Sequence, residues 1–203
     1  MKNGSSVDAL AGAMSTEVSY DRRTIQLHWA TAVLVTVLWI IAQVIDWFPK
    51  GAPKIAVRST HIVLGVLLGF VLLMRIVWRS VSGRRLLPAN AGVMGHITRI
   101  VHWLLYAGLV SVVLLGITNA WARGDSLFSL FHIPKLYPAN PQLKPTVESL
   151  HKTFANALAI VAGAHALAAV VHHFILRDGV LRRMVPGRRA KQDGPRVSSG
   201  KSL

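Results

Sequence analysis

Nine histidines occur in 203 residues, and they are the side chains here whose type and spacing could do chemistry. His28, His61, His102, His151 and His165 fall inside long apolar runs, with His172 and His173 following the last of them. A neutral imidazole can donate a nitrogen lone pair to a metal, pass a proton, or donate a hydrogen bond. An ionisable group at membrane depth is costly and is normally paired, liganded or set along a pathway. One such histidine is as well explained by a hydrogen bond to a backbone carbonyl. Several at complementary depths are not.

Spacing sorts them. His28 stands about one turn into the first apolar run, and His61 about one turn into the second, which runs the opposite way. His151 and His165 share the fourth run, 14 residues apart. At ~100° and ~1.5 Å per residue, they share nearly one helix face and lie ~21 Å apart along it. Two stacked pairs result, His61 with His151 and His28 with His165. Imidazole on both sides of an iron porphyrin is ordinary b-type haem ligation, and bundle cores hold such cofactors. His28, His61, His151 and His165 are therefore the candidate iron ligands of two b-type haems. His172 lies seven residues beyond His165 on much the same face, and depth alone does not choose between them. Gly65 and Gly69 leave a smooth helix face where a flat macrocycle could approach, a spacing that serves helix packing equally. Arg75 and Arg79 are placed to hold haem propionates or to reach lipid phosphates.

The elements that must position these groups are helices. Four apolar runs, roughly 25–45, 56–78, 97–120 and 146–176, are each at least the ~20 residues that a helix needs to cross a bilayer. The expected fold is all-α, an integral membrane four-helix bundle, since only helices and closed barrels satisfy their backbone in lipid. Hydrophobic residues make up 52% of the chain, yet the formal net charge is +15. The basic residues sit between the apolar runs, a membrane pattern that leaves no case for nucleic acid. Sixteen of the 23 Lys and Arg fall on the side of the two termini and the second connection. The positive-inside rule then puts both termini in the cytoplasm. Trp29, Trp39, Trp47, Trp78 and Trp103 lie mostly near helix ends, as an aromatic belt does. Cysteine is absent, which excludes disulfides, thiolate chemistry, iron–sulfur clusters and Cys-attached haem.

Residues 1–20 read as a mobile cytoplasmic arm without a signal peptide, 21–187 as the membrane domain, and 188–203 as a basic disordered tail. The connection from Trp121 to Lys144 is long for a bundle and contains an apolar segment, Leu127 to Ile133. That segment could lie on the membrane surface, cap the helix ends or dock a partner.

The runs DRRTIQLHWA, RSTHIVLGVLLGFVLLMRIVWR and SLHKTFANALAIVAGAHALAAVVHHFILRDGVLRRMVP resemble bacterial cytochrome b561, in order and spacing, over about Tyr20 to Arg189. The resemblance implies axial pairing of His28 with His165 and of His61 with His151, and so favours His165 over His172. It gives His102 no ligand role. That residue could contact a propionate or relay a proton, though a satisfied interior histidine is the simpler reading. His96 and His132 read as surface residues. The resemblance also implies electron transfer linked to ubiquinone, and in a close relative the donor is superoxide. On the outer side Lys50, Lys54, Arg58, Arg123, Lys135, Lys144 and Lys152 face only Asp46, Asp125 and Glu148, a positive mouth able to steer an anion. The expected activity is a superoxide:ubiquinone oxidoreductase. The alternatives are a cytochrome subunit serving a separate dehydrogenase and, more remotely, a histidine-lined transporter. The latter would call for broken helices and interior carboxylates, and the apolar runs contain almost none of either.

Overall fold

Asp21 starts the first helix because its carboxylate takes hydrogen bonds from the Thr24 amide at 3.0 Å and the Thr24 hydroxyl at 2.6 Å. In the computed structural model, which describes residues 20–81, 92–135, 142–177 and 181–184, four long helices follow. They are α1 (Arg22–Val44), α2 (Ala52–Val81), α3 (Val93–Arg123) and α4 (Leu143–Val171). A 3-10 turn, Ile45–Trp47, extends α1. A π-helical turn, His172–Leu176, extends α4 and ends where Arg177 turns left-handed, its amide bonded to the His172 carbonyl. A short 3-10 turn spans Leu181–Met184. All four helices are long and apolar enough to cross a membrane. The expected arm and tail lie outside the described residues, apart from Tyr20.

Each helix overruns its apolar run by several residues. Helical hydrogen bonding continues through the membrane–water interface, where polar residues such as Arg22, Arg79 and Arg123 are welcome. α3 packs most extensively on α4, α1 on α2, and α2 on α3. The buried centre is small: Leu38, Leu68, Leu72, Leu109 and Leu158 form one cluster. The outward faces are as apolar as the core, with Ile160 73% and Leu114 59% exposed. Such faces belong against lipid, and the chain is a multi-pass membrane bundle. Hydroxyl side chains inside the helices bond back to their own backbone, as Thr31 does to the Leu27 carbonyl.

After α3, Gly124 takes the left-handed conformation (φ 64°) and returns its amide to the Ala120 carbonyl. The chain then forms a hairpin, β1 (Ser126–Leu127) antiparallel to β2 (Phe131–His132). The apolar stretch, for which a membrane-surface, capping or docking role was open, is folded on itself and pinned to α2. Ser59, fully buried, accepts a 2.8 Å hydrogen bond from the Phe128 amide and lies 3.2 Å from the Ser126 carbonyl.

Candidate functional site

The bundle carries histidines at two levels, set by where each helix begins. α2 and α4 both start at the hairpin end, so His61 and His151 arrive at one depth. α1 and α3 start at the opposite end, and His28 and His102 arrive there together with His165 from further along α4.

At the hairpin end the rings of His61 and His151 stand edge to face, with centroids 6.3 Å apart and planes at 84°. Two nitrogen–metal bonds of ~2.05 Å and two ring radii of ~1.1 Å also sum to ~6.3 Å. This is the separation of two imidazoles sharing one metal atom between them. Both Nδ1 atoms are buried without a hydrogen-bond partner. Gly116 makes room for His151, since a Cβ there would meet the ring at 3.2 Å. Half-buried Gly65, one turn on from His61, has open space where its Cβ would stand. The outer pair fits haem ligation as it stands.

At the other end the structure brings His28, Arg75, His102 and His165 into one cluster. Arg75 donates from Nη2 to His28 Nδ1 at 3.2 Å and stacks its guanidinium 5.1 Å from the centre of the Tyr106 ring. His102 and His165 stand edge to face, centroids 5.2 Å apart. That spacing is short of the ~6.3 Å needed for a shared metal. His28 is in electrostatic range of both His165 and His102. A guanidinium only donates, so His28 Nδ1 accepts in this bond. Binding iron through Nε2 therefore requires Arg75 to turn its donor elsewhere. A carboxylate such as a haem propionate is what a guanidinium at this position would take.

Two tryptophans expected only as part of an aromatic belt tie this end together. Trp78 Nε1 donates to the Asp21 carboxylate at 2.9 Å, with Arg23 stacked 4.7 Å over the Trp78 ring. Trp29, next to His28, donates to the Met184 carbonyl at 2.8 Å and holds the segment after α4 against α1. Partial burial opposes the charge on Asp21, but the donors Thr24 and Trp78 outweigh it and hold its carboxyl below the usual carboxylate range.

The expected positive mouth is partly neutralised. Lys54 pairs with Asp46 at 2.9 Å, Arg58 with Asp125 at 3.6 Å, and Lys152 with Glu148 at 3.1 Å. Arg123 pairs with both Asp125 (3.4 Å) and Glu148 (3.3 Å). Seven cations against three carboxylates still leave a positive surplus. Lys50, Lys54 and Arg58 line a cavity of about 310 Å³ at the start of α2, with no carboxylate in its wall.

Four membrane-crossing helices with histidines gathered at two levels inside the bundle have the frame of a membrane-bound electron-transfer cytochrome. The profile of the family described as prokaryotic cytochrome b561 matches residues 19–187, and the chain belongs to that family. It is 28% identical to cytochrome b561 homolog 1 of Escherichia coli K12, over 84% of this chain and 98% of that one. It is 27% identical to the probable superoxide oxidase CybB of Yersinia pestis, over 84% of this chain and 97% of that one. Cytochrome b562 of Cereibacter sphaeroides is 29% identical over 85% of this chain and 98% of its own.

Proposed function

We propose that this cytochrome holds two b-type haems and carries electrons between the outer face of the bacterial inner membrane and the quinone pool, with superoxide as donor and ubiquinone as acceptor. The observation that carries the reading is the pair of histidine levels, joined by one helix that bears His151 and His165. His61 and His151 hold the haem at the hairpin end, and His28 and His165 the other, with Arg75 beside it. Bound haem supplies the one-electron redox chemistry. The basic residues flanking the opposite end, Arg22, Arg23, Arg79 and Arg99, orient it toward the cytoplasm together with both termini. The cavity lined by Lys50, Lys54 and Arg58 faces outward, where its surplus charge favours a small anion. Two superoxide anions give up one electron each and leave as dioxygen, while ubiquinone takes the two electrons with two protons and leaves as ubiquinol. The likeness to a probable superoxide oxidase supports this donor.

The test is a haem count and a reduced-minus-oxidised spectrum on detergent-purified protein, followed by superoxide and a ubiquinone analogue in the same cuvette. Two haems reduced by superoxide and reoxidised by quinone are expected. Two haems indifferent to superoxide would move the assignment to a subunit that takes electrons from a partner. The exposed tip of the hairpin, with Leu130 84% exposed, favours that second reading.

A further inference from the structure

His61 and His151 meet across the bundle from helices that are not neighbours. Packing runs α1 on α2, α2 on α3, α3 on α4 and α4 back on α1, which leaves α2 and α4 on opposite corners. Something other than direct helix contact must therefore set the distance between the two rings. One turn nearer the hairpin end, three residues before each histidine, stand Arg58 on α2 and Glu148 on α4. A continuous chain of charges joins them. Arg58 Nη1 lies 3.6 Å from Asp125 Oδ1, and Arg123 Nε lies 3.4 Å from the same oxygen. The other arm of the Arg123 guanidinium, Nη1, donates to Glu148 Oε2 at 3.3 Å.

The middle links are fixed in place. The Asp125 amide bonds to the Ala120 carbonyl at 3.4 Å, and its carbonyl accepts from the Ile133 amide at 2.9 Å. The Asp125 side chain is 10% exposed and that of Arg123 17%. Pairs so sheltered escape much of the water and salt that make surface pairs weak. Arg123 also lies two helical turns beyond Gly116, on the face of α3 where Gly116 clears the His151 ring. From this we infer that Asp125 and Arg123 are positioning residues of the outer pair: the chain Arg58–Asp125–Arg123–Glu148 clasps α2 to α4 one turn beyond His61 and His151, and so keeps the two rings at the separation that one iron needs. This rests on the reading of His61 and His151 as ligands of one haem. Lys152 pairs with Glu148 from α4 itself, so it hangs from the chain without extending it.

The experiment adds carbon monoxide to the reduced, full-length holoprotein and records haem content and the CO-difference spectrum. A haem iron with imidazole on both sides has no position for CO, and one whose ligand pair slackens does. The natural protein should take up almost none. Arg123→Gln, Asp125→Asn and Glu148→Gln should each take up CO at one haem, to similar extents, and that haem should be the one missing from His151→Leu. A chain cut once has nothing more to lose, so Arg123→Gln combined with Glu148→Gln should do no more than either alone. Lys152→Gln should stay closed. Loss of one haem alike in the three single variants, in place of CO uptake, is the same opening carried to release and supports the clasp. Full haem content without CO uptake in Arg123→Gln overturns it, as do additive effects in the double variant, equal uptake in Lys152→Gln, or loss of both haems. His151→Leu separates the two layers: if it keeps every haem, the ligand reading has failed, whatever the clasp variants do.

Discussion

Arg75 reaches His28 from the neighbouring helix, Nη2 to Nδ1, at 3.2 Å. The guanidinium is also stacked on Tyr106, so a fixed positive charge stands beside the proposed inner haem. Positive charge favours the reduced, less positive iron. Arg75→Gln should lower the potential of that haem, by on the order of 1 kcal/mol of lost stabilisation at the effective dielectric of a partly buried site. Spectroelectrochemistry resolves the two haems. A shift confined to the other one would contradict the placement.

The His61–His151 pair predicts selective loss. His151→Leu should halve the haem content and leave the remaining spectrum that of the haem at the opposite end. His28→Leu should do the reverse. If either variant retains both haems on pyridine haemochrome assay, the pairing is wrong.

Ser59→Ala would remove the acceptor of the Phe128 amide in a part-buried hydrogen bond, at a cost of about 0.5–1.5 kcal/mol borne by the hairpin. Hydrogen exchange at Phe128 should accelerate while exchange within α1 to α4 is unchanged. Protection as strong as in the natural protein would mean that the hairpin is held by other contacts.

Asp21 gives a pH signature. Its carboxyl is held below the ordinary range by Thr24 and Trp78, against the opposing effect of burial. A depressed folded-state value means that the stabilisation is complete above the unfolded value, ~4, and is lost as pH falls through the folded one. The Trp78 indole N–H resonance should therefore move only at acid pH, below ~4. In Asp21→Asn that titration should vanish.

Removing cations from the wall of the outer cavity tests the donor. Lys50→Gln with Arg58→Gln should slow reduction by superoxide several-fold at low ionic strength, and the difference should shrink as salt screens the field. An unchanged rate with full haem content would rule out steering through this cavity.

The helices were legible because a bilayer sets their length, and four apolar runs of the needed size stand out against any pattern of polar residues. The histidine levels were legible because His151 and His165 lie on a single helix, where sequence distance converts directly to space. The hairpin was not. Phe128 (φ 51°) and Ser129 (φ 60°) take left-handed conformations without the glycine or asparagine that would announce a turn. Its anchor, Ser59, lies 69 residues away in sequence, and contacts between distant segments leave no local trace. The same holds for Trp78 on Asp21, 57 residues apart, and for Arg75 on His28, 47 residues apart. The count of outer cations and carboxylates was legible, but which cations meet carboxylates was not.

Because His151 and His165 hang from one unbroken helix, α4 acts as a ruler. The gap between the two levels is fixed by helical rise, and not by the loops or by the other three helices. Changes in connection length, hairpin sequence or lipid thickness can tilt the bundle, but they leave that interval as it is. Inserting or deleting a residue between Lys152 and Ala164 would rotate one histidine away from its partners by ~100°. Drift in the sequence can therefore retune each level through its neighbours while the distance between them stays constant.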